Sequence, residues 1–160
     1  MSTQVKPIPD GFHTITPHLV VRNAAQAIEF YKKAFNAEVI GCMPGPDGEK
    51  IMHAELRIGD SPVMLCDEFP EMGSLSPESR GGTSVSLHVY VTNADETYQQ
   101  AVDAGASVIM PLADMFWGDR YGIVADPFGH HWAVATHIQD LTVEEITAAG
   151  AAAMAAGGCQ

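Results

Sequence analysis

The chain has 160 residues, and its 20 acidic and 8 basic side chains give a formal net charge of −12 at pH 7. This charge repels phosphate backbones and argues against a nucleic-acid partner, and no apolar run reaches the ~18 residues that a membrane span needs. Hydrophobic residues make up 46% of the chain and charged residues 18%, which is typical of a globular domain with a hydrophobic core.

The N-terminus and the cysteines predict a cytoplasmic location. Residues 1–10 contain one lysine and lack the apolar segment of a secretory signal. Cys42, Cys66 and Cys159 are odd in number and have no Cys-x-x-Cys spacing, which argues against a disulfide framework or a cysteine zinc site. Because Cys42 and Cys66 have apolar neighbours, we expect both in the core.

An internal repeat organises the chain. The segment 14–27 aligns without gaps on 84–97, so that His18 falls on His88. Each copy begins with an alternating strand, continues with an asparagine suited to cap a helix, and then shows an apolar stripe at helical spacing. Three further strands complete each copy. The predicted strands are 14–21, 38–43, 51–58 and 62–67 in the first copy, and 84–91, 107–110, 121–125 and 131–136 in the second.

The repeat predicts an α+β fold in which two βαβββ modules form a paired, incomplete-barrel sheet with a central cleft. We expect one domain to residue 137, made of module 1 (about 11–68), a linker (69–82) and module 2 (about 83–137). The segment 138–160 then forms a C-terminal helix and an Ala/Gly-rich tail, since Thr142 opens a capping-box pattern.

Strand alternation identifies the side chains that should line the cleft. In both first strands one face is wholly apolar, beginning with Ile15 in the first and Val85 in the second, and should pack under the helix, which leaves a mixed face for the cleft. That face carries Thr16 and His18 in the first copy and Ser86, His88 and Tyr90 in the second. We interpret His18 and His88 as candidate catalytic bases or ligand anchors. Metal ligation by these two, with His137 as a third ligand, is the alternative.

An aromatic segment precedes the seventh predicted strand and contains further candidate ligand-binding residues. Phe116, Trp117 and Tyr121 are predicted to form a cavity wall, with Arg120 binding an anionic or carbonyl group. The alternative is that the aromatic rings fill the core and that Arg120 pairs with Asp119 or Asp126. The adjacent carboxylates of Asp67 and Glu68 are interpreted as a solvated strand end.

Several runs of residues resemble a known superfamily. Ala27-Ile-Glu-Phe-Tyr-Lys-Lys-Ala-Phe in the first helix, Asp126-Pro-Phe-Gly-His near the end, and the duplicated βαβββ unit resemble the vicinal oxygen chelate superfamily. This superfamily includes glyoxalase I, extradiol dioxygenases, fosfomycin resistance enzymes and bleomycin-binding proteins. The runs that begin at His53 and Phe116 look like its PhnB-like branch.

The resemblance also locates the positions that hold metal ligands in the superfamily. These positions fall on Thr16, Ser86, Ala133 and either Met64 or Leu65, none of which suits zinc, nickel or iron. The usual glyoxalase I ligand set is therefore absent. A displaced set of His18 and His88, completed by His137 or by Asp67 or Glu68, could hold a divalent metal such as zinc, nickel, iron or manganese.

The resemblance implies a small-molecule-binding protein and leaves its activity open. One possibility is a metal-assisted lyase, isomerase or dioxygenase-type enzyme. Another is a metal-free protein that sequesters an aromatic compound or antibiotic, with Tyr90, Phe116, Trp117 and Tyr121 stacking on the ligand. A third is a non-catalytic protein with a vestigial site. A homodimer is expected, because superfamily members often exchange βαβββ units between chains.

Overall fold

A computed structural model describes residues 5–157 of the chain, which divide into two compact units. The first unit comprises the described residues up to Thr83 together with Pro127–Gly129. The second comprises Ser84–Asp126 and the described residues from His130 onward. Cys159, the end of the Ala/Gly-rich tail and residues 1–4 lie outside the described part of the chain.

The first unit contains an open four-stranded mixed sheet and one long helix. Its strand order is β1-β4-β3-β2, with β1 parallel to β4 and the other neighbours antiparallel. The elements are β1 (His18–Val21), α1 (Ala24–Phe35), β2 (Glu38–Pro44), β3 (Ile51–Ile58) and β4 (Ser61–Asp67), followed by a 3-10 turn (Pro70–Met72) and the short α2 (Pro77–Arg80).

The second unit repeats this arrangement and adds a C-terminal helix. Its strand order is β5-β8-β7-β6, with β5 parallel to β8. The elements are β5 (Ser86–Tyr90), α3 (Ala94–Ala104), β6 (Ser107–Asp114), β7 (Asp119–Ala125), β8 (His131–His137) and α4 (Val143–Ala155). Two βαβββ units, each with an open mixed sheet, confirm the predicted α+β class.

The predicted helix caps are present in both units. Asn23 accepts a hydrogen bond from the Gln26 backbone N–H, and Asn93 accepts one from Glu96, so each satisfies a donor that the first helical turn leaves free. Thr142 and Glu145 form the predicted capping box at the start of α4. Among the described helices, none has both the length and the apolar character needed to cross a membrane.

The core of each unit lies between its long helix and one face of its sheet. In the first unit Leu19, Leu56 and Leu65 are buried on that face. In the second unit Trp132 is only 1% exposed and packs in the core. Its indole N–H donates to Asp126 at 2.9 Å, so the buried indole donor is satisfied.

Three residues predicted to be buried are in fact exposed. Ile15 is 84% exposed and Val85 63%, because β1 begins only at His18 and β5 only at Ser86. The alternating pattern therefore extends beyond the part of each strand that its helix covers. Cys42 is also exposed, since it lies on β2, an edge strand on which every residue is exposed. Cys66 is buried, as expected.

Candidate functional site

Four rings lie together on the sheet of the second unit, and we call His88, Tyr90, Trp117 and Tyr121 the aromatic cluster. The ring centroids of His88 and Tyr90 are 4.6 Å apart, and those of His88 and Tyr121 are 5.6 Å apart. Trp117 meets Tyr121 edge-on at 5.4 Å. These separations are those of interacting aromatic pairs.

Strand register explains why these rings meet. His88 lies opposite Ala133 on the central strand β8, while Tyr90 and Tyr121 lie on either side of Ala135. The two alanines leave room above β8 for the larger rings of the flanking strands. They are only 1% and 0% exposed. The cluster therefore occupies the sheet face opposite α3, because β7 directs its alternate residue Gly122 toward Tyr98 of that helix.

A buried carboxylate connects the two ends of the aromatic cluster. Asp119 is 4% exposed, and one of its oxygens accepts hydrogen bonds from the Tyr90 hydroxyl and the Trp117 indole N–H, both at 3.1 Å. Its other oxygen lies 2.8 Å from Nδ1 of His137. Three partners thus hold Asp119, and Asp119 in turn fixes the orientation of two rings in the cluster.

His137 lies between two carboxylates at the end of β8. Nδ1 contacts Asp119, and Nε2 lies 3.0 Å from Asp140. Only the imidazolium form can donate to both acceptors. The hydrogen bond to Asp119 and then that to Asp140 raise the pKa of His137. Desolvation, followed by the hydrogen bond to Asp119, raises the pKa of Tyr90, so the Tyr90 hydroxyl keeps its proton and remains the donor to Asp119.

Arg120 does not join the aromatic cluster. It lies on β7 between Asp119 and Tyr121, so its side chain extends from the opposite face of the sheet. There it forms ion pairs with Asp95 at the start of α3 and with Asp114, the latter at 3.0 Å. Pairing with an aspartate was expected as the alternative, but the expected partners Asp119 and Asp126 were wrong, because alternation along β7 directs Arg120 to the face opposite Asp119.

Phe116 contacts the C-terminal helix. Its ring lies 5.0 Å from that of Trp117, and a Cβ built on Gly150 of α4 would come within 3.0 Å of the Phe116 ring. Helix α4 therefore packs closely on Phe116, and Gly150 is the residue that permits this approach. The predicted role of Phe116 in contacting a ligand stays a prediction.

The other predicted site residues are spread over both units. His18 lies on β1 of the first unit, where its ring meets that of His53 edge-on at 5.8 Å. Desolvation, and then the nearby His53, lower the pKa of His18, which favours the neutral imidazole. Thr16 precedes β1, and Ser86 begins β5 opposite His131. A cleft shared by His18 and His88 stays a prediction.

The described residues do not fit a ready metal centre. Nowhere between residues 5 and 157 do three or more His, Cys, Asp or Glu side chains group in a way that could hold an ion. His137 contacts a carboxylate at each ring nitrogen, so neither nitrogen is free for coordination in this arrangement.

Asp67 and Glu68 have structural contacts, and the expectation of a solvated strand end was wrong. Asp67 is 6% exposed and accepts the backbone N–H groups of Ala24 and Ile51 at 2.9 and 2.8 Å. The neighbouring Glu68 side chain accepts from the Ser76 backbone and the Ser79 hydroxyl at 3.0 and 2.7 Å. These two hydrogen bonds are the main reason that the pKa of Glu68 is lowered to about 2.

The lowered pKa of Glu68 predicts an acid-dependent loss of stability. Its contribution is fully present above the ordinary carboxyl pKa of 4.5 and is lost as the pH falls from there toward about 2. We expect the melting temperature to fall less across this pH window for Glu68→Gln than for the unaltered protein. At neutral pH the variant should melt lower. A decline of equal size in the two proteins would contradict the prediction.

Sequence reasoning missed the role of Asp119. Asp119 was considered only as a partner of Arg120, whereas it is the buried acceptor that joins Tyr90, Trp117 and His137. The signal available in the sequence was the alternation of side chains along a strand. Asp119 precedes Tyr121 by two residues, so a strand extended back to Asp119 places both side chains on one face.

The duplicated βαβββ fold places the chain in a class of small α+β proteins built from two such modules. The model of the Glyoxalase/Bleomycin resistance protein/Dioxygenase superfamily matches residues 11–134, and the chain belongs to this superfamily. An uncharacterized protein of Mycobacterium bovis is 51% identical over 138 residues, which is 84% of this chain and 90% of that protein.

Two solved structures share the fold. A gene product of Arabidopsis thaliana is 28% identical with a TM-score of 0.63, over 78% of this chain and 98% of that one. The PhnB protein of Bacillus cereus is 19% identical with a TM-score of 0.59, over 78% of this chain and 99% of that one. At that identity the second likeness concerns the fold alone.

Proposed function

We propose that this protein binds a planar small molecule on the aromatic cluster of the second unit. The observation that carries the proposal is the grouping of four rings on one sheet face. The buried carboxylate of Asp119 accepts hydrogen bonds from two of them. Tyr90 is 64% exposed, so a large ring surface is open to a ligand. Stacking on such rings removes apolar area from water and adds a directional aromatic contact.

The arrangement also lowers the entropic cost of binding. Ordering a flexible side chain at an interface costs roughly 0.5–1.5 kcal/mol. The hydrogen bonds from Tyr90 and Trp117 to Asp119 hold two rings in place before any ligand arrives. The imidazole of His88 makes no hydrogen bond within residues 5–157, so its nitrogens are available to anchor a polar group of the ligand, as the sequence predicts.

Binding to the aromatic cluster requires fewer groups than catalysis there. A lyase, isomerase or dioxygenase-type reaction would need acid, base or metal groups beside the bound molecule. His88 is the cluster residue suited to proton transfer. Metal-free sequestration of an aromatic compound, the alternative drawn from the sequence, needs only the rings and the anchor described above. We therefore propose sequestration as the simplest activity that this face supports.

Tryptophan fluorescence tests the proposed binding. The chain has two tryptophans, of which Trp117 lies in the cluster and Trp132 is buried in the core. We expect acridine, phenazine or quinoline to quench the emission saturably, because a ligand on the cluster contacts the Trp117 ring. Trp117→Phe should abolish the saturable part, while His53→Ala in the first unit should leave it intact.

Two results would contradict the proposal. One is unchanged fluorescence and unchanged melting temperature with every compound of the panel. The other is saturable quenching that survives in Trp117→Phe, since Trp132 would then be the reporter and the ligand would lie elsewhere.

Two finer assignments accompany the proposed function. Membership in the PhnB-like branch is supported by the runs that begin at His53 and Phe116. The homodimer stays a prediction, and it is supported by the apolar residues that the edge strands β2 and β6 leave exposed. These residues are Val39, Ile40, Met43, Val108 and Ile109.

A further inference from the structure

We infer that the aromatic cluster selects planar cations over neutral and anionic molecules of the same shape, and that the carboxylates of Asp119 and Asp140 impose this selection. The inference rests on the proposed function, because it names the chemical class of the ligand that the same face would bind. It is carried by the direction of the hydrogen bonds in the cluster and by the distribution of charge in the second unit.

The hydrogen bonds to Asp119 use up the donors of two cluster rings. The single hydroxyl hydrogen of Tyr90 and the single indole N–H of Trp117 both go to Asp119. Tyr90 can therefore offer a ligand only lone pairs and its ring face, and Trp117 only its ring face. Tyr121 and His88 can each turn either a donor or an acceptor toward a ligand, so they do not decide its charge.

The local charge favours a cation. His137 lies between the carboxylates of Asp119 and Asp140, so the group is negative by one charge even when the imidazole is protonated. The ring faces of Tyr and Trp attract cations through their quadrupoles, and this attraction strengthens when the pair is desolvated. A buried carboxylate directly beside two such rings adds to it.

The second unit has almost no positive charge to oppose a cationic ligand. It contains nine acidic residues and one basic residue, a formal charge of −8, whereas the first unit has eleven acidic and seven basic residues. The one basic residue is Arg120, which forms ion pairs with Asp95 and Asp114 on the other face of the sheet. The field of this unit therefore attracts cations and repels anions.

Three acridines of nearly the same shape test the inference. N-methylacridinium is a permanent cation, acridine is neutral at mildly alkaline pH, and acridine-9-carboxylate is an anion. In calorimetric titrations of the full chain we expect N-methylacridinium to bind roughly 3- to 30-fold more tightly than acridine, the range that a cation–π contact supplies. Acridine-9-carboxylate should bind most weakly. Added salt should reduce the differences in affinity among the three compounds, because it screens the charges.

Asp119→Asn tests the role assigned to Asp119. The substitution keeps the size of the side chain and removes its charge, so the preference for N-methylacridinium over acridine should fall toward parity. Asp103 is an exposed residue of α3 that accepts a hydrogen bond from Gln99. Asp103→Asn removes one negative charge away from the cluster and should therefore retain the preference for N-methylacridinium. If Asp119→Asn does not fold, Asp140→Asn is the second variant, because it removes the exposed carboxylate beside His137. It should reduce the preference for N-methylacridinium over acridine.

The outcomes separate the inference from the proposed function. Equal affinity for the three acridines, or tighter binding of the carboxylate, overturns the inference and leaves ligand binding in place. A full cation preference in folded Asp119→Asn, or in Asp140→Asn where the first variant does not fold, overturns the role of these carboxylates. No binding of any acridine, together with no response to the fluorescence panel, overturns the proposed function itself.

Discussion

Asp67→Ala is expected to lower the free energy of unfolding by about 3–5 kcal/mol, because hydrogen bonds to a charged acceptor contribute roughly 1.5–3 kcal/mol each. Asp67 accepts the backbone N–H of Ala24, the first residue of α1, with one oxygen and that of Ile51, the first residue of β3, with the other. Alanine would leave both donors without this acceptor at a largely buried position. Urea unfolding followed by circular dichroism measures the loss.

Asp67→Asn should restore little of that stability. An amide has one acceptor oxygen, so its NH2 group would face a backbone donor at either Ala24 or Ile51. Asp60→Ala is the matched control, because Asp60 is exposed and its side chain accepts a hydrogen bond from the neighbouring Ser61 hydroxyl. A loss in Asp67→Ala no larger than in Asp60→Ala would show that Asp67 does not hold α1 and β3 together.

The second unit shows why this role was not visible in the sequence. Its equivalent of the contact between Asp67 and Ala24 is made by Thr136, whose hydroxyl accepts the Ala94 backbone N–H at 2.8 Å and donates to the Val91 carbonyl. The repeat preserves the need for an acceptor at the helix start, while the residue type differs. Aligning the two copies by residue identity therefore passes over a shared structural function.

The repeat did predict the fold well, because periodicity depends on which side chains are buried. Strand β3 and the turn before β8 lie where the pattern places them, and α1 carries its expected apolar stripe. Strand β6 extends to Asp114, beyond the predicted end at residue 110. Pro111 interrupts the sequence pattern, but an edge strand tolerates a residue without an N–H.

The candidate site was predicted in part. His88, Tyr90, Trp117 and Tyr121 were named as site residues, and the structure brings them together. Arg120 was grouped with them because residues 116–121 were treated as one loop, in which neighbours can share a surface. Since β7 begins at Asp119, alternation sends Arg120 to the opposite face, and a local shift of two residues at a strand boundary changes the predicted site.

Gly122→Ala is expected to destabilise the second unit by about 1–3 kcal/mol, the usual cost of overpacking a core. A Cβ at this position would lie 2.8 Å from the Tyr98 ring, 3.0 Å from the Met110 carbonyl oxygen and 3.1 Å from the Leu112 Cα. Tyr98 cannot easily retreat, because its hydroxyl donates to that same carbonyl at 2.9 Å. Either α3 or β6 must therefore move away from β7.

Gly41→Ala provides the matched control for this substitution. Gly41 also lies within a strand, and a Cβ there would meet nothing within 4 Å. The free energy of unfolding of Gly41→Ala should therefore differ little from that of the unaltered protein. A displacement of β7 would also shift Asp119 and Tyr121, which lie on the same strand just before Gly122. We therefore expect Gly122→Ala to weaken acridine quenching of Trp117 as well as to lower the urea midpoint. A variant as stable as Gly41→Ala would mean that Tyr98 and β6 adapt freely, and that α3 does not fix the position of the aromatic cluster.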